Sequence, residues 1–194
     1  MQQIMRKSRE EAADTRRRIV EVASRKFRTD GIQATGLADL MSEAGLSHGG
    51  FYRHFESKDQ LVAQACESGL AAIIGRLEAA ASGCEGKAGF KAIVDAYVSS
   101  SHRDAPADGC PLAAMGSELA RADEQTRAVA SRGFADLVDV LAKRSGRRRR
   151  EAARSEAVVA LSAMIGAITM ARITDDPDAA AAILRDVRQH LEAM

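Results

Sequence analysis

His48, Tyr52, Arg53 and His54 fall within seven residues of one another, and each can donate hydrogen bonds to phosphate oxygens or to base edges. Gly49 and Gly50 stand among them. In a helix interior each glycine costs up to about 1 kcal/mol relative to alanine, so local stability does not select the pair. A helix end that approaches bases and phosphates would select it, because glycine removes the side chain that holds the backbone away. A tight crossing of two helices is the other use for such a pair. A second chemical candidate is Cys110, which precedes Pro111 at the start of a helix. A thiol there can have a lowered pKa, which points to an electrophile or oxidant sensor; the alternative is a small residue packed in the interior. Cys110 with His102 lacks a third orienting group for nucleophilic catalysis, and no enzyme is expected. Cys66, Cys84 and Cys110 are odd in number and scattered, so neither a disulfide framework, a structural metal nor a cofactor is expected.

The elements around the first cluster can be read from their punctuation. Thr35 can cap a helix whose apolar positions Leu37, Leu40 and Met41 recur at i, i+3, i+4. Gly45 stops it, Leu46 pins the turn, and Ser47 can cap a second helix over His48 to Phe55. Phe51 and Phe55 are four apart and face inward together. Ser57-Lys58-Asp59-Gln60 has the S-x-x-Q form of a capping box and opens a third helix. Helix, glycine turn and short helix make a helix-turn-helix.

The run T-x(9)-G-L-S-H-G-G-F-Y-R-H-F-E-S-K-x-x-L, from Thr35 to Leu61, resembles the DNA-binding signature of the TetR/AcrR family of transcriptional regulators. The resemblance implies an all-α homodimer, and its specific part ends near Leu61. It implies that Ser47, His48, Gly49 and Gly50 approach bases, and that Tyr52, His54 and Lys58 grip phosphates. It further implies phosphate contact by Thr35 and by Arg17 and Arg18 at the start of the first helix. Arg53 departs from the commonest residue at its position, and either operator preference or a further phosphate contact would suit it.

The rest of the chain suits that expectation. Its 194 residues are 46% hydrophobic with three prolines, a soluble helical composition. The formal net charge is +1, yet up to Arg28 nine Lys or Arg stand against four acids, an excess beside the reading unit that would draw in a polyanion. No apolar signal core follows Met1 and no run reaches the ~18 consecutive apolar residues of a membrane span, so a cytoplasmic location without a membrane partner is expected. The pattern predicts a first helix from near Ala12 or Asp14 to Thr29, a long helix from Ser57 to about Ala81, and helices over Lys87–His102, from Cys110–Pro111 onward, and over Glu124–Lys143. The basic run Arg144 to Arg150 could bind nucleic acid, but its place far along the chain from the reading unit, before a new helix, favours a solvated interhelical loop.

Glu151 to Thr174 is the most apolar helix, greasy on more than one face, and a second subunit is the simplest cover for it. A last helix follows over Asp178 to Leu191, and the resemblance implies that these two helices and their symmetry mates form the dimer interface. We therefore expect an all-α chain: a helix-turn-helix domain over 1–56 with a basic N-terminal arm, then a helical effector-binding and dimerisation domain over 57–194. The expected function is a ligand-responsive regulator, most simply a repressor released from a palindromic double-stranded operator by a small molecule. Phe90, Tyr97, Cys110, Met115, Glu118, Phe134 and Met164 are the expected lining of the effector site. The alternative is a thiol-based redox or electrophile switch at Cys110.

Overall fold

Helix α1 spans Gln2–Asp30, about ten residues more at its start than the pattern predicts. No glycine or proline interrupts residues 2–11, and their Gln, Glu, Arg and Lys are good helix formers, so nothing delays the helix. The computed structural model describes residues 2–147 and 149–194, with side chains from Glu10 onward apart from Arg148. The basic side chains of the arm, Arg6, Lys7 and Arg9, and Arg148 of the basic run thus lie outside the described residues. Ile19, Ala23 and Phe27 form the buried stripe of α1. The helix ends at Gly31, whose φ of +89° suits glycine and whose N–H still reaches the Phe27 carbonyl at 3.0 Å.

Helix α2, Leu37–Glu43, is preceded by Gly36 rather than capped by Thr35. The Thr35 hydroxyl instead donates to the Gly31 carbonyl at 2.6 Å and closes the loop between the two helices. At its other end the Gly45 N–H bonds to Ser42 and the Leu46 N–H to Met41, with Gly45 at φ +70°, a Schellman stop as its sequence suggests. The expected α-helix over His48–Phe55 is a six-residue 3₁₀ helix, His48–Arg53, closed by i→i+3 bonds such as Gly50 N–H to Ser47 carbonyl. Ser47 precedes it without a side-chain cap. Two glycines in six residues weaken α-helix formation, and the shorter turn is what remains.

Helix α3 spans Lys58–Ala80. Ser57 Oγ accepts from the Gln60 N–H at 3.1 Å, while Gln60 Oε1 reaches one residue further back, to the Glu56 N–H at 2.9 Å, a capping box shifted by one amide. The helix predicted over Lys87–His102 is two: α4, Gly86–Tyr97, and α5, Ser100–Asp104. Ser99 causes the break by capping α5, its Oγ accepting from the His102 N–H. A 3₁₀ turn, Pro106–Asp108, leads to α6, Pro111–Leu119, with proline at its first position and a kink at Met115. Helices α7 (Glu124–Ala142), α8 (Arg150–Ile173) and α9 (Pro177–Glu192) complete the chain. No strand occurs among the described residues.

The long α3 lies between α1 on one side and α7 on the other, and α8 packs against α7 and α9. At the α3–α7 crossing a Cβ on Gly133 would come within 2.3 Å of Leu70, so only glycine permits this approach. One apolar core runs from Phe51 and Phe55 through Leu61 and Leu70 to Leu161 and Leu191. By length and composition α8 would also suit a membrane span, but here it carries Glu156, paired with Arg147 at 2.8 Å, and packs against four other helices. The basic run joins α7 to α8, with Arg147 and Arg149 exposed.

Candidate nucleic-acid interface and effector region

Phe51 and Phe55 are buried and stacked 5.5 Å apart, and they fix the 3₁₀ helix to the core. Arg16 of α1 locks the far end: its guanidinium donates to the His54 carbonyl and lies 4.3 Å over the Phe55 ring. Arg16 went unrecognised in the sequence, where it is one of three successive arginines with nothing to mark it. With the inward side anchored, Ser47, His48, Gly49 and Arg53 are exposed, Tyr52 is 68% exposed, and Gly50 and His54 are half-buried. One short helix therefore presents three donor side chains, His48, Tyr52 and Arg53, to solvent beside a bare stretch of backbone.

The glycines are not there for a helix crossing. A Cβ on Gly49 would meet nothing within 4 Å, and one on Gly50 would meet only Met41 Cε at 3.7 Å and Ser47 Oγ at 3.9 Å. Neither has a positive φ. Gly49→Ala should therefore raise folding stability by about 0.4–1 kcal/mol, because alanine restricts the unfolded chain and fits the folded one. The same substitution is expected to weaken operator binding. Urea titration and fluorescence anisotropy on the two proteins check both parts, and loss of stability would show that the glycine serves the fold.

Other expected contacts are placed differently. Thr35 is buried with its hydroxyl engaged by Gly31, so the hydroxyl positions the loop. The Lys58 ammonium donates to the carbonyls of Ile32 at 2.7 Å and Thr35 at 2.8 Å, which leaves one of its three N–H groups free of these bonds. It thus ties the start of α3 to the α1–α2 loop. Arg17 and Arg18 are exposed on α1, with Arg17 paired to Asp14.

In the effector region Phe90, Tyr97, Cys110, Met115 and Met164 are buried in the core, and Phe134 is half-buried against it. Glu118 does not line that region. Its carboxylate accepts from the backbone N–H groups of Ile32 at 3.1 Å and Gln33 at 2.9 Å, joining α6 to the turn after α1. The positive-φ Gly31 turns two successive amides toward it, and a Cβ there would stand 3.1 Å from Glu118 Oε2. An open cleft of about 490 Å³ lies between α3, α4 and α5, lined by Ile73, Arg76, Leu77, Ala96, Ser99 and His102 among others. Another, of about 510 Å³, follows the α3–α7 groove past Leu70, Ile74 and Val129.

Cys110 departs from the expectation of a lowered pKa. Burial pushes the thiol up and outweighs what lowers it, the Tyr97 hydroxyl, the first amides of α6 and the Arg28 charge. The residue is fully enclosed, which removes the support for a reactive switch. Nor does His102 act on its sulfur. The ring Nδ1 lies 2.7 Å from the Tyr97 carbonyl and Nε2 accepts the Cys110 backbone N–H at 2.9 Å, an arrangement only the neutral Nδ1–H tautomer satisfies. Burial, reinforced by the nearby charges of Arg172, Arg76 and Arg28, lowers its pKa to about 4, while the bond to Tyr97 opposes the shift. Arg28 and Arg172, missed in the sequence, flank the same strap. Arg172 had a visible signal, a charge inside the most apolar helix; Arg28 had none.

Comparison with known proteins agrees with this layout. Residues 19–65 match the family described as bacterial regulatory proteins, tetR family, and residues 87–190 match the C-terminal domain described as transcriptional regulator LmrA/YxaF-like. The HTH-type transcriptional regulator TtgR of Pseudomonas putida is 42% identical over 59 residues, 30% of this chain and 28% of that protein. The HTH-type transcriptional repressor KstR2 of Rhodococcus jostii is 31% identical over 80 residues, 41% of this chain and 39% of that protein. This chain thus matches well under half the length of these curated relatives. A crystal structure of a TetR transcriptional regulator from Chloroflexus aurantiacus superposes with a TM-score of 0.74 at 27% identity, covering 95% of each chain.

Proposed function

This chain belongs to the TetR family of bacterial transcriptional regulators, and we propose that it is a dimeric repressor released from a palindromic operator by a small molecule. The observation that carries the DNA-reading part is the unobstructed Gly49 flanked by exposed His48, Tyr52 and Arg53. Residues 1–56 form the reading unit and 57–194 the effector and dimerisation unit. Two reading units on a two-fold dimer would enter successive major grooves about 34–36 Å apart. Support for the dimer comes from α8, where Val159, Ala163, Gly166, Met170 and Ile173 follow one another at spacings of four and three residues. Val159, Met170 and Ile173 are 57%, 49% and 67% exposed, and a Cβ on Gly166 would meet nothing within 4 Å. Half-buried Ile183 and Val187 of α9 continue the apolar face.

Helix α3 links the units, with Lys58 bonded into the α1–α2 loop at one end and Leu77 buried near the other. An effector seated beside it favours a dimer whose reading units are wrongly spaced. To move that equilibrium from 1:99 to 99:1 it must prefer one state by about 5.5 kcal/mol. Selection of bound sites from random DNA is expected to yield two inverted half-sites about one helical turn apart, and Tyr52→Ala to weaken binding to them by about tenfold or more. Selection that enriches no sequence, or undiminished binding by Tyr52→Ala, would overturn this reading.

A further inference from the structure

Two guanidinium groups flank the short strap Gly109–Cys110, and among the described residues neither has a carboxylate within 4.0 Å. Arg28, buried, donates only to the carbonyls of Ser24 at 2.8 Å and Gly109 at 2.7 Å. Arg172, half-buried, donates only to the carbonyls of Arg103 at 3.0 Å and His102 at 2.7 Å. Its remaining nitrogen, Nη1, is enclosed and has no acceptor, and the enclosed Tyr97 hydroxyl has no oxygen or nitrogen partner, only the neighbouring Cys110 thiol, a weak acceptor. Tyr97 and Arg172 share one locality: the His102 carbonyl accepts from Arg172 while its ring meets Tyr97 edge-on, and Tyr97, Cys110 and Asp104, in that order, act on the Arg172 charge. The strap is shaped around them, since a Cβ on Gly109 would stand 3.0 Å from both Arg172 Nη2 and His102 Nε2.

Buried charge is normally neutralised by a paired ion, and buried donors normally find acceptors. Here two enclosed donors without an oxygen acceptor stand beside a positive charge that Asp104 reaches only from beyond ion-pair distance. His102 adds no negative charge and no free nitrogen. On one side its ring meets Tyr97 edge-on, with centroids 4.6 Å apart, and it also lines the 490 Å³ cleft, whose wall joins apolar Ile73, Leu77 and Ala96 to Arg76 and to Asp95 and Asp108, the two carboxylates being paired with Lys91 and Arg25. A cleft of that size suits a small organic molecule.

We infer that Tyr97 Oη and Arg172 Nη1 form the polar anchor of the effector site, and that the effector carries a carboxylate on an apolar body. A carboxylate supplies two oxygens for the guanidinium and phenol donors and the negative charge that Arg172 lacks. His102 links cleft and anchor, since it lines the cleft, meets Tyr97 edge-on and gives its carbonyl to Arg172. The anchored strap also reaches α1, because the Gly109 carbonyl holds Arg28. This inference rests on the proposal that a small molecule acts through the second domain, and its failure can be told apart from failure of the regulator itself.

The test uses the full chain, with acetate as the probe because its size makes no demand on the shape of the cleft. Thermal unfolding is followed in sodium acetate, in acetamide and in sodium chloride at matched ionic strength. Acetate is expected to raise Tm above the chloride and acetamide values by about 4 °C when it is well above its dissociation constant. Tyr97→Phe and Arg172→Met are expected to lose that difference. Tyr97→Phe should also raise Tm in chloride, because it removes a buried hydroxyl that has no oxygen acceptor. Equal Tm in acetate and chloride, an equal rise with acetamide, or a rise that survives in Tyr97→Phe would each overturn the inference. Operator binding by the parent in the same samples reports separately on the regulatory function.

Discussion

Replacing Val159 and Ile173 together by aspartate is expected to convert the proposed dimer into a folded monomer and to weaken operator binding by about 10²–10⁴-fold. Both side chains are more than half exposed, so the substitutions disturb little within one chain. Across a two-fold interface each aspartate would meet the same apolar seam of the other subunit, and its charge would have to be stripped of water without a partner. Loss of the second reading unit then removes the intramolecular second binding event, which is the source of the large factor. Sedimentation velocity reads the assembly state and fluorescence anisotropy the affinity. A variant that stays dimeric with parental affinity would place the interface elsewhere.

Lowering the pH from 7.5 to 4 is expected to remove about 3 kcal/mol of stability through His102 alone. The sign follows from its pKa, about 4 in the folded chain against an ordinary 6.5. Above pH 6.5 the imidazole is neutral in both states and nothing is lost. Between 6.5 and 4 the unfolded chain takes up a proton that the folded chain refuses, so stability falls. Below 4 both states are protonated and this contribution levels off. A proton on Nε2 would also end its acceptance of the Cys110 N–H. His102→Gln does not titrate, so the difference between parent and variant isolates the effect from acids such as Asp104 and Asp123, whose pKa values lie below the usual range. Urea unfolding in buffers free of carboxylates gives the two profiles; parallel profiles would show that His102 titrates normally.

The reading unit was largely legible because its determinants are local. Gly45 at a positive φ, the Ser57 cap and the Phe51–Phe55 pair act over a few residues, and their meaning is the same in any context. Ambiguity arose where a side chain had two possible partners. Thr35 could cap α2 or bond backward, and the turn at Gly31 decided for the backward bond. Lys58 belongs to a motif associated with phosphate, yet two loop carbonyls within 2.8 Å hold its ammonium. Ser99 gave no periodicity signal that would divide one predicted helix into α4 and α5.

The sequence by itself determined the helical class, the order of elements, the glycine-bearing turn unit and the apolar excess of α8, because periodicity and capping are encoded between residues a few positions apart. Only the tertiary structure decided how the second domain uses its polar groups. Arg172 reaches the His102 carbonyl across 70 residues and Arg28 of α1 reaches the Gly109 carbonyl across 81, and no local pattern records which charges will be buried together. The same long-range packing placed Glu118 on the turn after α1 and enclosed the Cys110 thiol. Desolvation depends on everything that surrounds a group, and for that reason the chemistry of Cys110 and His102 was settled by the fold.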